Sequence, residues 1–140
     1  MKGLFMNHDE WREQCTVIQA CGYITLDTGE KVSEYIYAIE NESGGTTPQK
    51  GERAKKAGKK AGVSDLHLPV PIYPYCGLWI EMKRKIEKGK PKPKTTLSQQ
   101  EWINKMRKQG HYACVCFGAE QAIEIIKKYV KSELYHYKEP

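Results

Sequence analysis

Residues 62–85 read GVSDLHLPVPIYPYCGLWIEMKRK. Two short apolar runs, DLHL at 65–68 and CGLWIEMK at 76–83, flank a segment with prolines at 69, 71 and 74. Proline has no N–H to give to a sheet ladder, so the runs are expected strands and the segment between them a turn or crossing. Asp65 opens the first run, while Glu81 and Lys83 close the second. Residues two apart in a strand face the same side, so Glu81 and Lys83 point together with Trp79 behind them. Leu78, Ile80 and Met82 then take the other face. If the two strands pair, Asp65 and Glu81 lie near each other at the strand ends.

Two carboxylates that close repel and raise each other's pKa unless a cation sits between them. A hard divalent ion such as Mg²⁺ suits an all-oxygen site and keeps several waters. There it would neutralise phosphate charge and lower the pKa of a water, and a neighbouring lysine would orient that water or meet the developing negative charge. Glu10, from the expected first helix, is a candidate to complete the shell. The pattern is loose, and acidic strands ending in E-x-K are often plain exposed edges. Two features favour a site. Glu81 follows Leu78, Trp79 and Ile80, which marks a strand interior where an unpaired charge is costly. The stretch also lies between two basic segments.

Those segments are 50–60, KGERAKKAGKK, with six Lys/Arg, and 82–94, MKRKIEKGKPKPK, with seven. Together they hold thirteen of the 23 basic residues of a chain with net charge +6. Clustered cations raise the local potential and favour a polyanion through counterion release. Solvated, mobile loops are the blander account.

Further out, HDEWREQCTVIQAC at 8–21 is expected to be a helix, with Trp11, Cys15, Ile18 and Cys21 recurring on one apolar face and Gly22 stopping it. Residues 23–39 suggest a strand or hairpin around DTG, ending in YIYAI at 35–39. ENESGGTTPQKGE at 40–52 looks like a flexible loop, and RAKKAGKKAG at 53–62 a short basic helix weakened by Gly58. After the basic Pro/Gly loop 84–95, Thr96 and Gln99 form a capping box for a helix running to Gln109, with Gly110 as its stop. HYACVCF at 111–117 is a strand and 119–135 an amphipathic helix. Strand, helix, strand at the C-terminal end implies a βαβ crossover, so the fold class is α/β with a mixed central sheet flanked by helices.

At 140 residues the expectation is one domain, 1–140, with flexible loops near 40–53 and 84–95. No apolar stretch reaches membrane-helix length and the first residues lack a signal-like apolar run, so no membrane partner and a cytoplasmic location are expected. The five cysteines include no C-x-x-C, and the four histidines are scattered, so buried free thiols rather than structural zinc are expected. Cys114 and Cys116 alternate, and so share a strand face.

In this order and spacing, GVSDL at 62–66, IEMK at 80–83, Thr96 to Gln99 and GHYACVCFG at 110–118 resemble the virus-type replication-repair nuclease (VRR-NUC) domain, a branch of the PD-(D/E)xK nuclease superfamily. E-x-x-x-Q at Glu10 to Gln14 and AIENE at 38–42 add to the likeness, which spans nearly the whole chain. The resemblance implies a restriction-endonuclease-like core. It makes Asp65 and Glu81 metal-binding carboxylates, with the backbone carbonyl of Met82 a further ligand. Lys83 becomes the catalytic lysine, Glu10 the helix carboxylate with Glu13 as its rival, and Gln99 a group orienting phosphate or water. It also implies Mg²⁺- or Mn²⁺-dependent DNA cleavage. Small stand-alone members, phage and bacterial, resemble Holliday-junction resolvases and act as homodimers. The sequence departs from the family pattern where Ser64 and Glu40 stand in place of prolines, and where the loop after Lys83 is unusually basic.

The expectation is a metal-dependent, structure-specific DNA endonuclease acting on branched DNA as a homodimer and nucleoid-associated when bound. Lys55, Lys56, Lys59, Lys60, Arg84, Lys85, Lys88 and Lys90 are its expected nucleic-acid contacts. A two-fold junction calls for a C2 dimer, to which Ala122, Ile126, Tyr129 and Val130 of the last helix are candidate contributors, although core packing suits them better. The alternative is a non-catalytic basic nucleic-acid-binding module using Tyr73 and Tyr75 to stack bases. A third reading is an interaction protein docking its basic loops on an acidic partner.

Overall fold

The computed structural model describes residues 8–40 and 47–136; of His8, Tyr135 and His136 only the backbone is described. The first helix, α1, spans His8–Cys21 as the periodicity predicts. Its buried stripe differs from the predicted one. Val17 and Cys21 are buried, whereas Trp11 is 54% exposed. The stripe facing inward is Glu10, Gln14, Val17 and Cys21, polar in its first half and apolar in its second. Counting apolar residues alone located the seam one position away from the true one.

The chain then makes a single antiparallel bridge, Thr25 to Lys31, and a short 3-10 turn at Val32–Glu34. The expected strand 35–39 shrinks to β1, Tyr37–Ala38, at the sheet edge. The expected loop 40–52 falls partly on residues 41–46, outside the described residues. Helix α2, Pro48–Lys56, begins earlier than predicted because Thr47 caps it, accepting from the Lys50 N–H, and Pro48 sits in its first turn where no N–H is needed. It stops ahead of Gly58, whose φ is +105°.

Strand β2 is Leu66–Leu68, β3 is Leu78–Lys83 and β4 is Tyr112–Phe117. The sheet order is β1-β2-β3-β4. Its first two pairings are antiparallel and the β3/β4 pairing is parallel, with Glu81 beside Val115. Helix α3, Leu97–Lys108, makes the crossover between the parallel strands. The predicted capping box is present: the Thr96 hydroxyl accepts from the Gln99 N–H at 3.2 Å, and Gln99 Oε1 accepts from the Thr96 N–H at 2.9 Å. The last helix, α4, runs Ala119–Val130 and ends short of the predicted 135, with Ser132 at φ 61° and a 3-10 turn at Glu133–His136.

Alternation along β3 divides the interior. Leu78, Ile80 and Met82 join Leu66, Leu68, Val17, Ile126 and Tyr129 in the main core, under α1 and α4. On the opposite face Trp79 packs with Ile103 and Ala113 beneath α3. Ala122, Ile126, Tyr129 and Val130 are all buried in the chain's own core, so they offer no dimer surface. Tyr75 is half-buried against Tyr112 and Tyr129, and only Tyr73, 80% exposed, matches the expected surface aromatic. Cys21, Cys114 and Cys116 are buried free thiols, with Cys114 and Cys116 Sγ 3.7 Å apart, while Cys76 is exposed. Among the described residues no helix is long and apolar enough to cross a membrane.

Candidate active site

The antiparallel register sets the site. Leu66 pairs with Ile80 at the end of the β2/β3 ladder. One step further places Asp65 opposite Glu81, so the expected meeting of carboxylates follows from pairing alone. Asp65 Oδ2 accepts from the Met82 N–H at 2.7 Å, and its own carbonyl accepts from the Ile39 N–H at 2.8 Å. These two bonds fix Asp65 between β1 and β3. Because a strand residue directs its N–H and C=O to the same edge, the Met82 carbonyl also faces the side occupied by Asp65, beyond the last β2 pairing.

Glu81 is 2% exposed and Lys83 8%, at the C-terminal end of a strand whose six residues are all buried. Gln99 ties the two together. Its Nε2 donates to Glu81 Oε2 at 3.2 Å, and its Oε1 accepts from Lys83 Nζ at 3.0 Å. Lys83 Nζ also lies 3.8 Å from Glu81 Oε2. The residue that caps α3 is therefore the one that braces the buried charges. Gly62, at φ +82°, lies against the start of α3 so closely that an added Cβ would stand 2.3 Å from the Ser98 carbonyl. No other residue type fits there, and this contact seats the chain leading to Asp65 against Gln99.

Burial pushes the Glu81 carboxyl far above its ordinary value, to about 10, and the neighbouring Asp65 charge pushes the same way. Burial raises Asp65 too, opposed by its contact with Glu81 and by the Met82 N–H. Burial and mutual repulsion thus work against both carboxyls being ionised at once. Glu81 Oε1 is buried and, among the described residues, finds no donor; Gln14 Oε1, on the α1 wall of the same cleft, is likewise orphaned. Such atoms cost free energy unless something outside the chain meets them.

Glu10 faces the cleft as well. Burial raises its carboxyl, Lys83 lowers it, and the Arg84 backbone N–H donates to it. Glu13 instead accepts from the Ala119 N–H and caps α4. Glu10, which the four-residue step to Gln14 favours, thus lines the cleft, while Glu13 does not. Among the described residues no three His, Cys, Asp or Glu side chains converge as a metal cage. The oxygens that fit a divalent ion are Asp65, the orphaned Glu81 Oε1 and the Met82 carbonyl, with water completing the shell, a donor set suited to Mg²⁺ or Mn²⁺.

Lys55, Lys59 and Lys60 line a cleft of about 400 Å³ together with Lys105 of α3, which sequence reading missed. Ser98 belongs both to this cleft and to the cleft of about 580 Å³ that holds Asp65, Glu81 and Lys83. Lys56 is exposed on α2, and Lys85, Lys88 and Lys90 on the loop after β3, with Lys90 paired to Glu87 at 2.9 Å. Arg84 is occupied differently from the expectation: its guanidinium donates to the Pro91 and Lys85 carbonyls and folds that loop on itself.

No protein-family model matches the chain, and no curated protein is significantly similar to it. A solved structure described as a VRR_NUC domain protein is similar to it at TM-score 0.74 and 25% identity, over 91% of this chain and 92% of that one. The mixed four-stranded sheet, the crossover helix and this similarity support a VRR-NUC domain protein, of a nuclease domain family with a PD-(D/E)xK-like core.

Proposed function

We propose that the chain is a Mg²⁺- or Mn²⁺-dependent DNA endonuclease that hydrolyses phosphodiesters in branched DNA, working as a homodimer in the manner of a junction resolvase. The observation that carries this reading is the buried Asp65–Glu81 pair, with one donorless carboxylate oxygen, next to an almost buried Lys83. A non-catalytic binder gains nothing from carboxylates set beside phosphates, which weighs against the binding-module alternative.

A divalent ion held by Asp65, Glu81 and the Met82 carbonyl would supply neutralisation of phosphate charge and activation of water. The chain's own residues do the rest. Lys83, held by Gln99 and flanked by Glu81, presents an ammonium to the phosphate oxygens where negative charge grows in the transition state. Gln99 keeps that ammonium in place and fixes Glu81 Oε2, leaving Oε1 buried and, among the described residues, without a donor. Glu10 orients groups at the α1 wall. Lys55, Lys59, Lys60 and Lys105 bind flanking phosphates without reading sequence. Two copies would place two such sites on a two-fold junction.

The test is a panel of fork, flap and four-way-junction DNAs incubated with Mg²⁺, with Mn²⁺ and with chelator. Metal-dependent cuts on at least one branched substrate are expected. Cleavage of none of them sinks the reading. Asp65→Ala, Glu81→Ala and Lys83→Ala are each expected to abolish cutting and retain binding, since the surface lysines supply most of the affinity.

A further inference from the structure

We infer that Trp11 is a base-stacking residue of the catalytic cleft, taking the face of an unpaired nucleobase next to the phosphate to be cut. This rests on the nuclease reading and specifies its substrate. Sequence periodicity places Trp11 in the core; the structure leaves it 54% exposed, in the first half of α1, beside Glu10. It lines the same cleft as Asp65, Glu81 and Lys83, and among the described residues it is the aromatic side chain that does so. The other strongly exposed aromatics, Tyr23 at 89% and Tyr73 at 80%, lie outside this cleft.

Half-exposing an indole forgoes a substantial part of the stabilisation its burial would bring. The neighbouring α1 positions show that the helix had inward sites for apolar residues at Val17 and Cys21, yet it presents Glu10 and Gln14 inward and Trp11 to the opening. A flat π surface beside a phosphate-cleaving centre matches a nucleobase. In a duplex both faces of each base are covered by its neighbours, so only an unpaired, frayed or branch-point base can stack on protein. The cleft volume of about 580 Å³ lies within the roughly 300–1,000 Å³ range of pockets that take small organic ligands. The lysine cleft attracts any phosphate backbone and does not distinguish single strand from duplex. The indole supplies that distinction.

The experiment uses the full chain in chelator, so that nothing is cut. A labelled thymidine oligomer and a blunt duplex of equal length are titrated with wild type, Trp11→Ala, Trp11→Leu and Trp11→Tyr, read by anisotropy and by intrinsic fluorescence. Trp11→Ala and Trp11→Leu are expected to weaken single-strand binding about 5- to 150-fold, the span of base–aromatic stacking, and to leave duplex binding unchanged. Trp11→Tyr should recover most of the loss, and the single strand should quench wild-type fluorescence while the duplex does not. Leucine keeps apolar bulk without a π face, so it serves if the alanine variant folds poorly. Equal losses for both DNAs, or no loss for the single strand, overturn the inference. If wild type binds neither DNA, the stacking inference falls, while the nuclease reading stands or falls on the branched-DNA cleavage panel. If wild type binds and the variants match it, only the stacking role is lost.

Discussion

At position 64 a serine hydroxyl is wholly buried and, among the described residues, has no hydrogen-bond partner. An unmet buried hydroxyl costs about 1–3 kcal/mol. Ser64→Ala is therefore expected to stabilise the chain by about 1 kcal/mol, measured as a higher urea midpoint at unchanged slope. Glu81 is the opposite case, because under the proposed function its cost serves the site. Glu81→Gln keeps the shape and removes a buried carboxyl whose ionisation burial and Asp65 oppose. The variant should melt above wild type without metal, lose all cleavage, and show no melting response to Mg²⁺ or Mn²⁺. A third residue, His67, sits stacked on Trp79 at 3.8 Å between ring centroids, with Nδ1 2.8 Å from the Tyr37 hydroxyl. Burial first, then the facing His111, lowers its pKa to about 4. A folded pKa below the unfolded value of 6.5 means that the unfolded chain takes up the proton first. Stability is then present above about pH 6.5 and is lost as pH falls towards 4. Urea melts at neutral and acid pH should show that loss, and His67→Phe should shrink it.

At the scale of elements, the beginning of α3 carries both structure and site. Thr96→Ala removes the cap and is expected to cost about 1 kcal/mol. It should also reduce cleavage, because Gln99 is held by the same box that positions Lys83 and Glu81. Gly62→Ala is expected to cost more in both respects, because the new methyl meets backbone that cannot swing aside. Chemical denaturation together with a junction-cutting assay checks both. The capping box was legible because it depends on two residues three apart. The start of α2 was legible in principle from Thr47 and Pro48, but the surrounding Gly, Ser and Thr suggested a loop. The stripe on α1 was misread since a cleft-lining face and a core-lining face have the same period, and period does not say which side chains meet water.

At the scale of the whole molecule, the two basic segments are placed differently around the cleft of Asp65, Glu81 and Lys83. The first, with Lys55, Lys59 and Lys60, faces α3, and the second has Lys85 packed on Gly118 at the start of α4. Because α4 gives its apolar face to its own core, a homodimer must use other surface. Light scattering is expected to give twice the 16.1 kDa chain mass; a monomer would point to flap or nick processing in place of junction resolution. By itself the sequence determined α1, α3 and the three strands β2, β3 and β4, the common direction of Glu81 and Lys83, and the capping box, because each depends on spacing along one element. The placement of Glu10 in the cleft and of Glu13 at α4, the exposure of Trp11, the burial of the last helix and the closing of Lys105 onto the basic cleft were decided only by tertiary structure. Those outcomes depend on which face of one element meets another, and no local period encodes that.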